Sequence, residues 1–383
     1  MNNCFSAKIY KGKKIITYNG NNIYSPIENI EETKFTEDIL ENRLDDIVKN
    51  KHYYHLHNID NSIFIASVKY FSETIRADWC NLPLSTLMIS SPGEVFKGKT
   101  IDYTTDALPI DIKWFDNSKK AYLAESSQFY LELRLLIENV NKVFSIYNSF
   151  RKEPADYCHL SEFQHIEFEG KVNNTENATI AKGLLVYLTN YLVENNRLDL
   201  KYFLSDSDIK DLKCIFNEDT FKEISLEDAL DLLYKDTGEE KYKEFSMKNF
   251  GAWEEIRLTE ILDGHIVVKD FPLLEIPFYH DELGKNKEGV PTANNADIIL
   301  SGYREVIGCG QRIRNKDALL EKAKVFNLPI KDYDPYLKMR DYESYETTSG
   351  FGMGWQRYVQ WLLKLPYIWD STHVPRGHHL PKP

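Results

Sequence analysis

The alternation of apolar and polar residues changes several times along the chain, and each change predicts a different element. Residues 1–30 alternate around an Asn-Gly pair at 19–20, which predicts a β-hairpin. Residues 35–50 and 60–76 carry apolar positions at helical spacing and predict two amphipathic helices. The stretch LPLSTLMIS (82–90) is largely apolar and is entered through a proline, so it predicts a buried strand.

The second half of the chain mixes helical blocks with strands. Residues 127–150 begin with helical spacing and change to strand spacing near Val143. Residues 175–245 predict several acidic helices, one of which starts at a capping pair of Ser225 and Asp228. Three further stretches predict two strands and then a glycine-rich turn leading into a helix: HIVVKDFP (265–272), ADIILSG (296–302) and GFGMGWQRYVQWLLKLPYIWD (350–370). Without a regular βαβ rhythm, this order predicts an α+β fold around an antiparallel sheet.

Composition and charge narrow the classes of function. The 383 residues are 42% apolar and 13% aromatic, which is ordinary for a globular enzyme. The net charge of −12 provides no general basic surface for a phosphate backbone, which argues against DNA and other large nucleic-acid partners. The chain has no membrane-spanning segment, its N-terminus lacks the apolar core of a signal peptide, and its five cysteines form no CxxC pair, so we expect a cytoplasmic protein.

Charged and aromatic residues are concentrated in SFRKEPADYCHLSEFQHIEFE. If 143–151 and 162–169 are strands, the segment between them is a turn. The second strand then has one apolar face and one polar face, and the polar face carries His165, Glu167 and Glu169.

Four residues near this turn could converge on one ligand. Arg151 could donate two parallel hydrogen bonds to a phosphate or carboxylate. Glu153 and His159 lie close to it in sequence, and Phe163 could stack on a flat ring. A solvated hairpin whose charges pair casually explains the same stretch about equally well.

A second candidate stretch is SGYREVIGCGQRI. Glu305 and Arg312 flank two glycines, Gly308 and Gly310, which let a backbone approach a ligand closely. Asp297 lies just upstream, and carboxylates converging in one pocket could hold Mg²⁺. A bulged strand with a structural ion pair is the alternative interpretation.

A third candidate is GFGMGWQR, in which glycines at 350, 352 and 354 precede Arg357. No GK[ST] follows, so the stretch is not a Walker A loop. It also lacks the preceding βαβ strand of a dinucleotide-binding turn. The remaining interpretation is a helix start that accepts an anion, with an arginine one turn into the helix.

In this order the stretches resemble motifs of the class II aminoacyl-tRNA synthetases, most closely the asparaginyl/aspartyl subgroup. SFRKEPADYCHLSEF resembles motif 2, GFGMGWQR resembles motif 3, and WCNLPLSTLM resembles motif 1 with Pro83 at the dimer-interface proline. AESSQFYLEL (124–133) is similar to the amino-acid-binding segment of asparaginyl enzymes. The resemblance covers roughly residues 50–376 and implies a class II catalytic fold, an antiparallel sheet flanked by helices, in a homodimer.

The resemblance also implies roles in binding ATP. By its place in motif 2, Arg151 holds the α-phosphate and the substrate carboxylate. Glu153 contacts the adenine side, His159 the β- and γ-phosphates, and Phe163 lies beneath adenine. Arg357 stacks above the adenine or holds the γ-phosphate, so Arg151 and Arg357 are the expected catalytic pair.

Other residues resemble the magnesium and amino-acid sites of the family. Glu305 resembles the Mg²⁺ ligand, with Asp297 as its helper. Four residues are expected at the amino acid: Gln128, Glu132, Arg312 and Glu94. A glutamate that accepts from an amide NH₂, beside an arginine that donates to its C=O, is complementary to asparagine, whereas it would repel an aspartate carboxylate. Leu131 also stands where aspartyl enzymes carry a lysine.

Three departures from the family pattern concern the acceptor. Only some fifty residues precede the catalytic region, which is too few for the family's anticodon-binding domain. The motif 2 loop is short and has Cys158 where relatives have arginine. Ser90 stands where relatives place the first of two glutamates that hold the α-amino group, and Glu94 keeps the second.

From these departures we expect an AMP-forming ligase resembling the asparagine synthetase-related paralogs. It would activate an asparagine-like carboxylate as an acyl-adenylate and transfer it to a free amine or ammonia, with tRNA an unlikely partner. The alternatives are an asparaginyl-tRNA synthetase with a reduced tRNA-binding surface and a non-catalytic amino-acid-binding paralog. We expect residues 1–50 to form an N-terminal extension and 51–383 a catalytic domain with an acidic helical insertion at about 172–260.

Overall fold

A computed structural model describes residues 5–24, 37–90, 95–96, 99–100, 104, 106–114, 117–153, 156–215 and 220–377. The strands in these ranges are Phe5–Tyr10 (β1), Lys13–Tyr18 (β2), Asn21–Tyr24 (β3), Asp78–Trp79 (β4), Ser85–Thr86 (β5), Val95–Phe96 (β6), Lys99–Thr100 (β7), Leu108–Trp114 (β8), Asn117–Leu123 (β9), Lys142–Phe150 (β10), Glu162–Gly170 (β11), Phe221–Ser225 (β12), His265–Lys269 (β13), Glu282–Lys285 (β14), Pro291–Ala293 (β15), Asn295–Ile299 (β16), Glu305–Gln311 (β17) and Ser349–Gly354 (β18).

The α-helices in the same ranges are Glu37–Glu41 (α1), Arg43–Lys49 (α2), Lys51–Lys69 (α3), Gln128–Arg134 (α4), Asn174–Asn195 (α5), Arg197–Phe203 (α6), Asp206–Ile215 (α7), Leu226–Thr237 (α8), Ala252–Leu262 (α9), Lys316–Val325 (α10), Ile330–Lys338 (α11) and Trp355–Leu362 (α12). Helix α3 continues as a π-helical turn at Tyr70–Ile75. Short 3₁₀ turns occur at Glu240–Lys243, Met247–Asn249, Met339–Asp341 and Ile368–Ser371.

The centre of the molecule is an eight-stranded sheet in the order β12-β13-β16-β17-β18-β11-β10-β4. Its strands are antiparallel except for the edge pairs β12–β13 and β10–β4. The predicted hairpin is present at β10 and β11, paired from Lys142 with Gly170 to Phe150 with Glu162. The expected α+β fold is therefore confirmed.

One face of this sheet is buried against helices. Ile166 and Phe168 on β11 point into the main core, as their alternation predicts, and α5 packs on β16, β17 and β18. Phe71, from the turn after α3, stacks on Phe144 with ring centres 4.7 Å apart. Because helices cover this face, the opposite face is the one left for a ligand.

The N-terminal hairpin is a three-stranded antiparallel sheet, β1-β2-β3. Its second turn uses the predicted Asn19-Gly20 pair, both with positive φ. Phe5 packs edge-on against Tyr303 at 4.7 Å, and Trp253 on α9 donates to the Lys8 carbonyl at 3.0 Å. The small sheet thus shares the main core, while the domain boundary at residue 50 stays a prediction.

Two local predictions are wrong. Residues 82–90 do not form a buried strand, because only Ser85 and Thr86 pair in a sheet while Leu84 and Leu87 are exposed. The glycine-rich turn is instead the central strand β18. A Cβ on Gly350 would lie 2.4 Å from the Phe168 carbonyl, so glycine lets β18 lie close to its neighbour.

The acidic region is helical, as predicted, and Ser225 caps α8 by accepting from the Asp228 N–H at 3.1 Å. Strand β12, just before that cap, was not predicted. Among the described helices, none is both long and apolar enough to cross a membrane.

Candidate active site

A row of four paired residues forms part of the floor of a cavity of about 660 Å³ on the open face of the sheet. Glu167 on β11 pairs with Gly352 on β18, which pairs in turn with Gly308 on β17. Gly308 pairs with Asp297 on β16. Because side chains in such a row share one face of a sheet, two glycines leave open space between two carboxylates.

The neighbouring row repeats this pattern. Gly350 on β18 pairs with Gly310 on β17, and Gly310 lines the cavity. A Cβ on Gly310 would lie 2.4 Å from the His280 ring, so only glycine lets that ring lie over the sheet. The glycines of two different motifs therefore build one surface, because β17 and β18 are adjacent.

The motif 2 residues meet in this cavity. Arg151, Glu153, His159 and Phe163 all line it, together with Arg357 from α12. The Arg151 guanidinium lies 5.6 Å from the centre of the Phe163 ring. An aromatic face beside an arginine could hold a flat base and its phosphate.

His159 lies in a strongly polar environment. Its Nδ1 is 2.8 Å from Asp156 Oδ1 and 3.5 Å from Cys158 Sγ. Burial opposes a charged imidazole, yet the contacts with Cys158 and Asp156 raise the pKa of His159 to about 10. In turn, although burial favours a neutral acid, His159 holds the pKa of Asp156 well below its usual range. At neutral pH the imidazolium can therefore face an anion.

Arg357 connects motif 3 to the other two motifs. Its Nη1 donates to the Glu305 carbonyl at 2.8 Å and its Nε donates to the Cys158 carbonyl at 3.3 Å. These bonds hold the guanidinium between β17 and the loop that precedes β11. The arginine is thus placed by backbone groups, and its Nη1 also lies 3.9 Å from the Glu305 carboxylate, the candidate metal ligand.

Two carboxylates at one end of the floor fit a divalent cation. A Cβ on Gly308 would lie 3.1 Å from Glu305 Oε1 and 3.6 Å from Asp297 Oδ1, so both oxygens converge there. Burial, together with the charges of Glu305 and Glu255, raises the pKa of Asp297 well above its usual range. A cation would relieve this repulsion, and oxygen ligands suit Mg²⁺.

A second group of metal-ligand atoms fits a cation poorly. One ligand atom from each of Asp156, Cys158 and His159 lies within 4.8 Å of the others. However, Arg304 Nη1 is 3.4 Å from Cys158 Sγ and 3.2 Å from His159 Nε2. A guanidinium at these atoms opposes a positive ion, so we assign no metal here.

At the other end of the floor, Gln128 and Glu167 face each other across Gly352. Glu167 accepts hydrogen bonds from the Ser126 hydroxyl and from the Ser127 N–H, the latter at 2.8 Å. Burial raises the pKa of Glu167. A carboxylate and an amide held this way could bind a substrate ammonium group.

Glu132 does not line the cavity. Its carboxylate accepts from Tyr336 and Tyr345 at 2.7 and 2.6 Å, and Arg340 Nη2 lies 2.6 Å away. All of these groups are part of a buried cluster behind the cavity wall. The predicted contact between Glu132 and a substrate amide would require these partners to move, so it stays a prediction.

Arg312 does line the cavity, although two of its nitrogens are bound to Glu169, at 3.0 and 2.7 Å. Its third nitrogen, Nη1, makes no hydrogen bond to the residues that the structure describes. Glu94, also expected at the amino acid, lies outside the described residues.

Sequence reasoning missed several residues of the cavity lining: Asp106, Ser126, Glu167, Tyr279, His280 and Arg304. Strand alternation placed Glu167 on the polar face and could have identified it. Tyr279 and His280 lie at the end of the loop between β13 and β14, where no motif marks them. Burial, with the charges of Arg312 and Lys322, lowers the pKa of His280 well below its usual range, so this ring is neutral.

Residues 98–378 match the family described as tRNA synthetases class II (D, K and N). The asparagine–tRNA ligase of Thermococcus gammatolerans is 33% identical over 268 residues, 69% of this chain and 59% of that protein. The corresponding ligase of Lactobacillus johnsonii is 28% identical over 332 residues, 86% of this chain and 70% of the relative. This chain therefore spans about three fifths of the length of the first of these relatives.

Solved structures of asparaginyl-tRNA synthetases share this fold. The crystal structure of the asparaginyl-tRNA synthetase from Pyrococcus horikoshii complexed with asparaginyl-adenylate superposes with a TM-score of 0.76 at 25% identity, over 99% of this chain and 83% of that one. The asparaginyl-tRNA synthetase of Entamoeba histolytica in complex with asparaginyl-adenylate gives 0.70 at 22% identity, over 95% and 77%.

Proposed function

Because this chain belongs to the family of tRNA synthetases class II (D, K and N), we propose that it is an AMP-forming ligase that activates an amino-acid carboxylate with ATP. The observation that supports this most directly is that one cavity is lined both by Arg151, Phe163 and Arg357 and by Gln128 and Arg312. One compartment with both sets of residues can align a nucleotide with an amino acid.

The proposed reaction needs positioning more than proton transfer. Phe163 stacks on adenine, Arg151 binds the α-phosphate and the attacking carboxylate, and Arg357 neutralises phosphate charge. A carboxylate oxygen attacks the α-phosphorus, the bond from that phosphorus to the bridging oxygen breaks, and pyrophosphate leaves with the electron pair. No general base is required, because the attacking carboxylate is already ionised at neutral pH.

Mg²⁺ is the cation we propose for the acidic end of the floor. Glu305 and Asp297 would hold it, since their oxygens converge at Gly308. The two carboxylates repel each other, and a bound cation would remove that repulsion. The ion supplies charge neutralisation for the phosphates.

We propose asparagine as the amino acid. The named relatives act on asparagine, and one of them is complexed with asparaginyl-adenylate. Here Arg312 Nη1 is the donor available for a side-chain carbonyl. The positive charge of Arg312 is already balanced by Glu169, so a second substrate carboxylate would gain little there, whereas a neutral amide needs only the donor.

The proposed acceptor is a free amine or ammonia. It is supported by the net charge of −12, and by a motif 2 loop in which only Lys152 remains basic once Arg151 and His159 face the cavity. The relatives' names make tRNA the alternative acceptor. Activation by ATP is common to both.

We also propose a homodimer. Trp79, Leu84, Leu87, Leu133 and Ile137 are exposed apolar residues, and several lie around Pro83 of the motif 1-like stretch. The Arg134 side chain on α4 donates to the Asn81 carbonyl at 3.1 Å, which brings the two segments that carry these residues together, and an exposed apolar patch of this kind fits an interface. Light scattering tests this, and a monomer at micromolar concentration would contradict it.

The central experiment is pyrophosphate exchange into ATP, screened across amino acids with and without total tRNA. Asparagine-dependent exchange without RNA supports the proposal. Arg151→Ala should abolish exchange, whereas Arg197→Ala, at an exposed arginine on α6, should not. If none of the amino acids supports exchange, the non-catalytic alternative is favoured. Near-native exchange by Arg151→Ala would remove the assignment of that residue.

The acceptor needs a second assay. The protein is incubated with ATP and labelled asparagine, and then with ammonia, simple amines or total tRNA. Amide product without RNA supports a free acceptor. Label in acid-precipitable tRNA would overturn that part of the proposal and leave the activation step intact.

A further inference from the structure

Arg304 stands one residue before the candidate magnesium ligand Glu305 and lines the cavity. Its guanidinium is anchored by Glu255, from Nε to Oε2 at 3.1 Å and from Nη2 to Oε1 at 3.0 Å. Glu255 also accepts from the Glu305 N–H at 2.9 Å. One carboxylate on α9 therefore fixes both the arginine and the backbone beside it.

The third nitrogen of Arg304, Nη1, is not taken by that anchor. It lies 3.2 Å from His159 Nε2 and 3.4 Å from Cys158 Sγ. His159 Nδ1 is already engaged with Asp156 at 2.8 Å. The Glu153 carboxylate is 3.9 Å from Nε2, which is too far for a hydrogen bond.

This arrangement brings two positive groups together. With the imidazole protonated, Nε2 and Nη1 are both donors and cannot bond each other, and among the described residues Nη1 has only the weak acceptor Cys158 Sγ, at 3.4 Å. The geometry would be favourable if an anionic oxygen accepted from both. Arg357 adds a third cation at the same place, since its Nε donates to the Cys158 carbonyl.

We propose that Arg304 is a further phosphate-binding residue, which with His159 and Arg357 forms a three-cation clamp for the β- and γ-phosphates of ATP and for the leaving pyrophosphate. This proposal rests on the proposed function, because it names a contact of the same nucleotide. Glu255 is a positioning residue in it: it aims Nη1 and does not touch the ligand.

The clamp has a distinctive consequence for binding. A triphosphate offers the β and γ charges that Arg304 would meet, and AMP offers neither. Losing Arg304 should therefore weaken the binding of ATP and of inorganic tripolyphosphate on the order of 10-fold to 100-fold, the range for a charged hydrogen bond. The affinity for AMP should change by less than about 2-fold.

The variants must keep Glu255 from being left unpaired. Isothermal titration calorimetry would compare Glu255→Gln with the double variant Glu255→Gln, Arg304→Gln, so that only the arginine differs between them. Arg304→Lys keeps the positive charge without the guanidinium fork, so its affinity for tripolyphosphate should lie between those of the arginine and glutamine forms. Arg197→Gln, an exposed arginine, is the control for net charge.

Two results would overturn the proposal: equal weakening of AMP and ATP, which marks a purely structural arginine, or unchanged tripolyphosphate binding in the double variant. The outcome for the proposed function is separate. If the wild-type protein catalyses exchange but the double variant binds tripolyphosphate normally, only the clamp is wrong. If the wild type catalyses no exchange with any amino acid, yet binds tripolyphosphate through Arg304, the clamp stands and the ligase function fails.

Discussion

Arg312 donates two parallel hydrogen bonds to Glu169, at 3.0 and 2.7 Å, and neither side chain is exposed to solvent. The pair joins the residue after β17 to the end of β11, across β18. Gly350 makes this possible, because a Cβ there would lie 1.9 Å from Glu169 Oε2. A motif 2 strand and two other motifs are thus tied together at the proposed amino-acid end of the cavity.

Breaking this pair should destabilise the protein strongly. Glu169→Gln leaves the buried Arg312 without a counter-charge, and we expect the free energy of unfolding to fall by about 3–5 kcal/mol. Urea denaturation measures the change. Asp334→Asn, which breaks the exposed pair with Lys338, should cost less than about 1 kcal/mol. Equal small losses would mean that the buried pair contributes nothing special.

Adding one methyl group to the cavity floor should separate binding from folding. At Gly352 a Cβ would make ordinary contacts of 3.7 Å with Glu167 and 3.9 Å with Gln128, so Gly352→Ala should fold with little change in stability. It should raise the KM for the amino acid by roughly 10-fold, the cost of about 1.4 kcal/mol of lost binding. At Gly350 the overlap with Glu169 should instead lower the melting temperature. A normal KM with Gly352→Ala would move the amino acid elsewhere.

Asp297 should lower the stability of the protein without metal. Burial and the charges of Glu305 and Glu255 raise its folded-state pKa, so the folded state binds a proton more tightly than the unfolded state does. Stability is therefore lost as pH rises through and above the ordinary range of an aspartate. Asp297→Asn should be more stable than wild type at pH 8 without Mg²⁺, with the difference vanishing near pH 4.

The same variant should lose its response to metal. Mg²⁺ should raise the melting temperature of the wild type and not that of Asp297→Asn, and exchange activity should need more Mg²⁺. Thermal unfolding with EDTA or with millimolar Mg²⁺ provides the comparison. An equal response of both proteins would place the ion elsewhere.

His265 should make stability depend on pH in acid. It is buried at the start of β13, and its Nδ1 accepts from the Ser301 N–H at 2.9 Å. Burial lowers its pKa to about 4, from an ordinary value near 6.5. Between these values the unfolded state binds a proton that the folded state refuses, so stability falls as pH falls, by about 3 kcal/mol in total.

His265→Asn keeps an acceptor for Ser301 and removes the proton site, so it should flatten that part of the stability curve. The exposed His57 supplies the control variant His57→Asn. Chemical denaturation at intervals from pH 7 to pH 4 measures both. Parallel curves for wild type and His265→Asn would show that the ring is not the source of the slope.

Local patterns were enough to predict much of the fold. The β10–β11 hairpin and its two faces follow from alternation, because a strand has an exact period of two residues. The cap at Ser225 follows from a three-residue spacing that satisfies free helix N–H groups. The motif residues could be recognised from the sequence for a related reason: their chemistry requires particular side chains at short, fixed separations.

Long-range pairing decided the rest. The glycines of GFGMGWQR suggested a turn, yet they form a central strand, since Phe168 and Glu169 of another strand occupy the space that side chains would need. Glu132 and Arg312 were paired by chemistry, but Tyr336, Tyr345 and Arg340 surround the first and Glu169 binds the second. The sequence by itself thus determined the class of fold and predicted which residues bind a nucleotide. Only the tertiary structure decided which charges neutralise each other and which remain free for a ligand, because burial makes that choice between residues far apart in the chain.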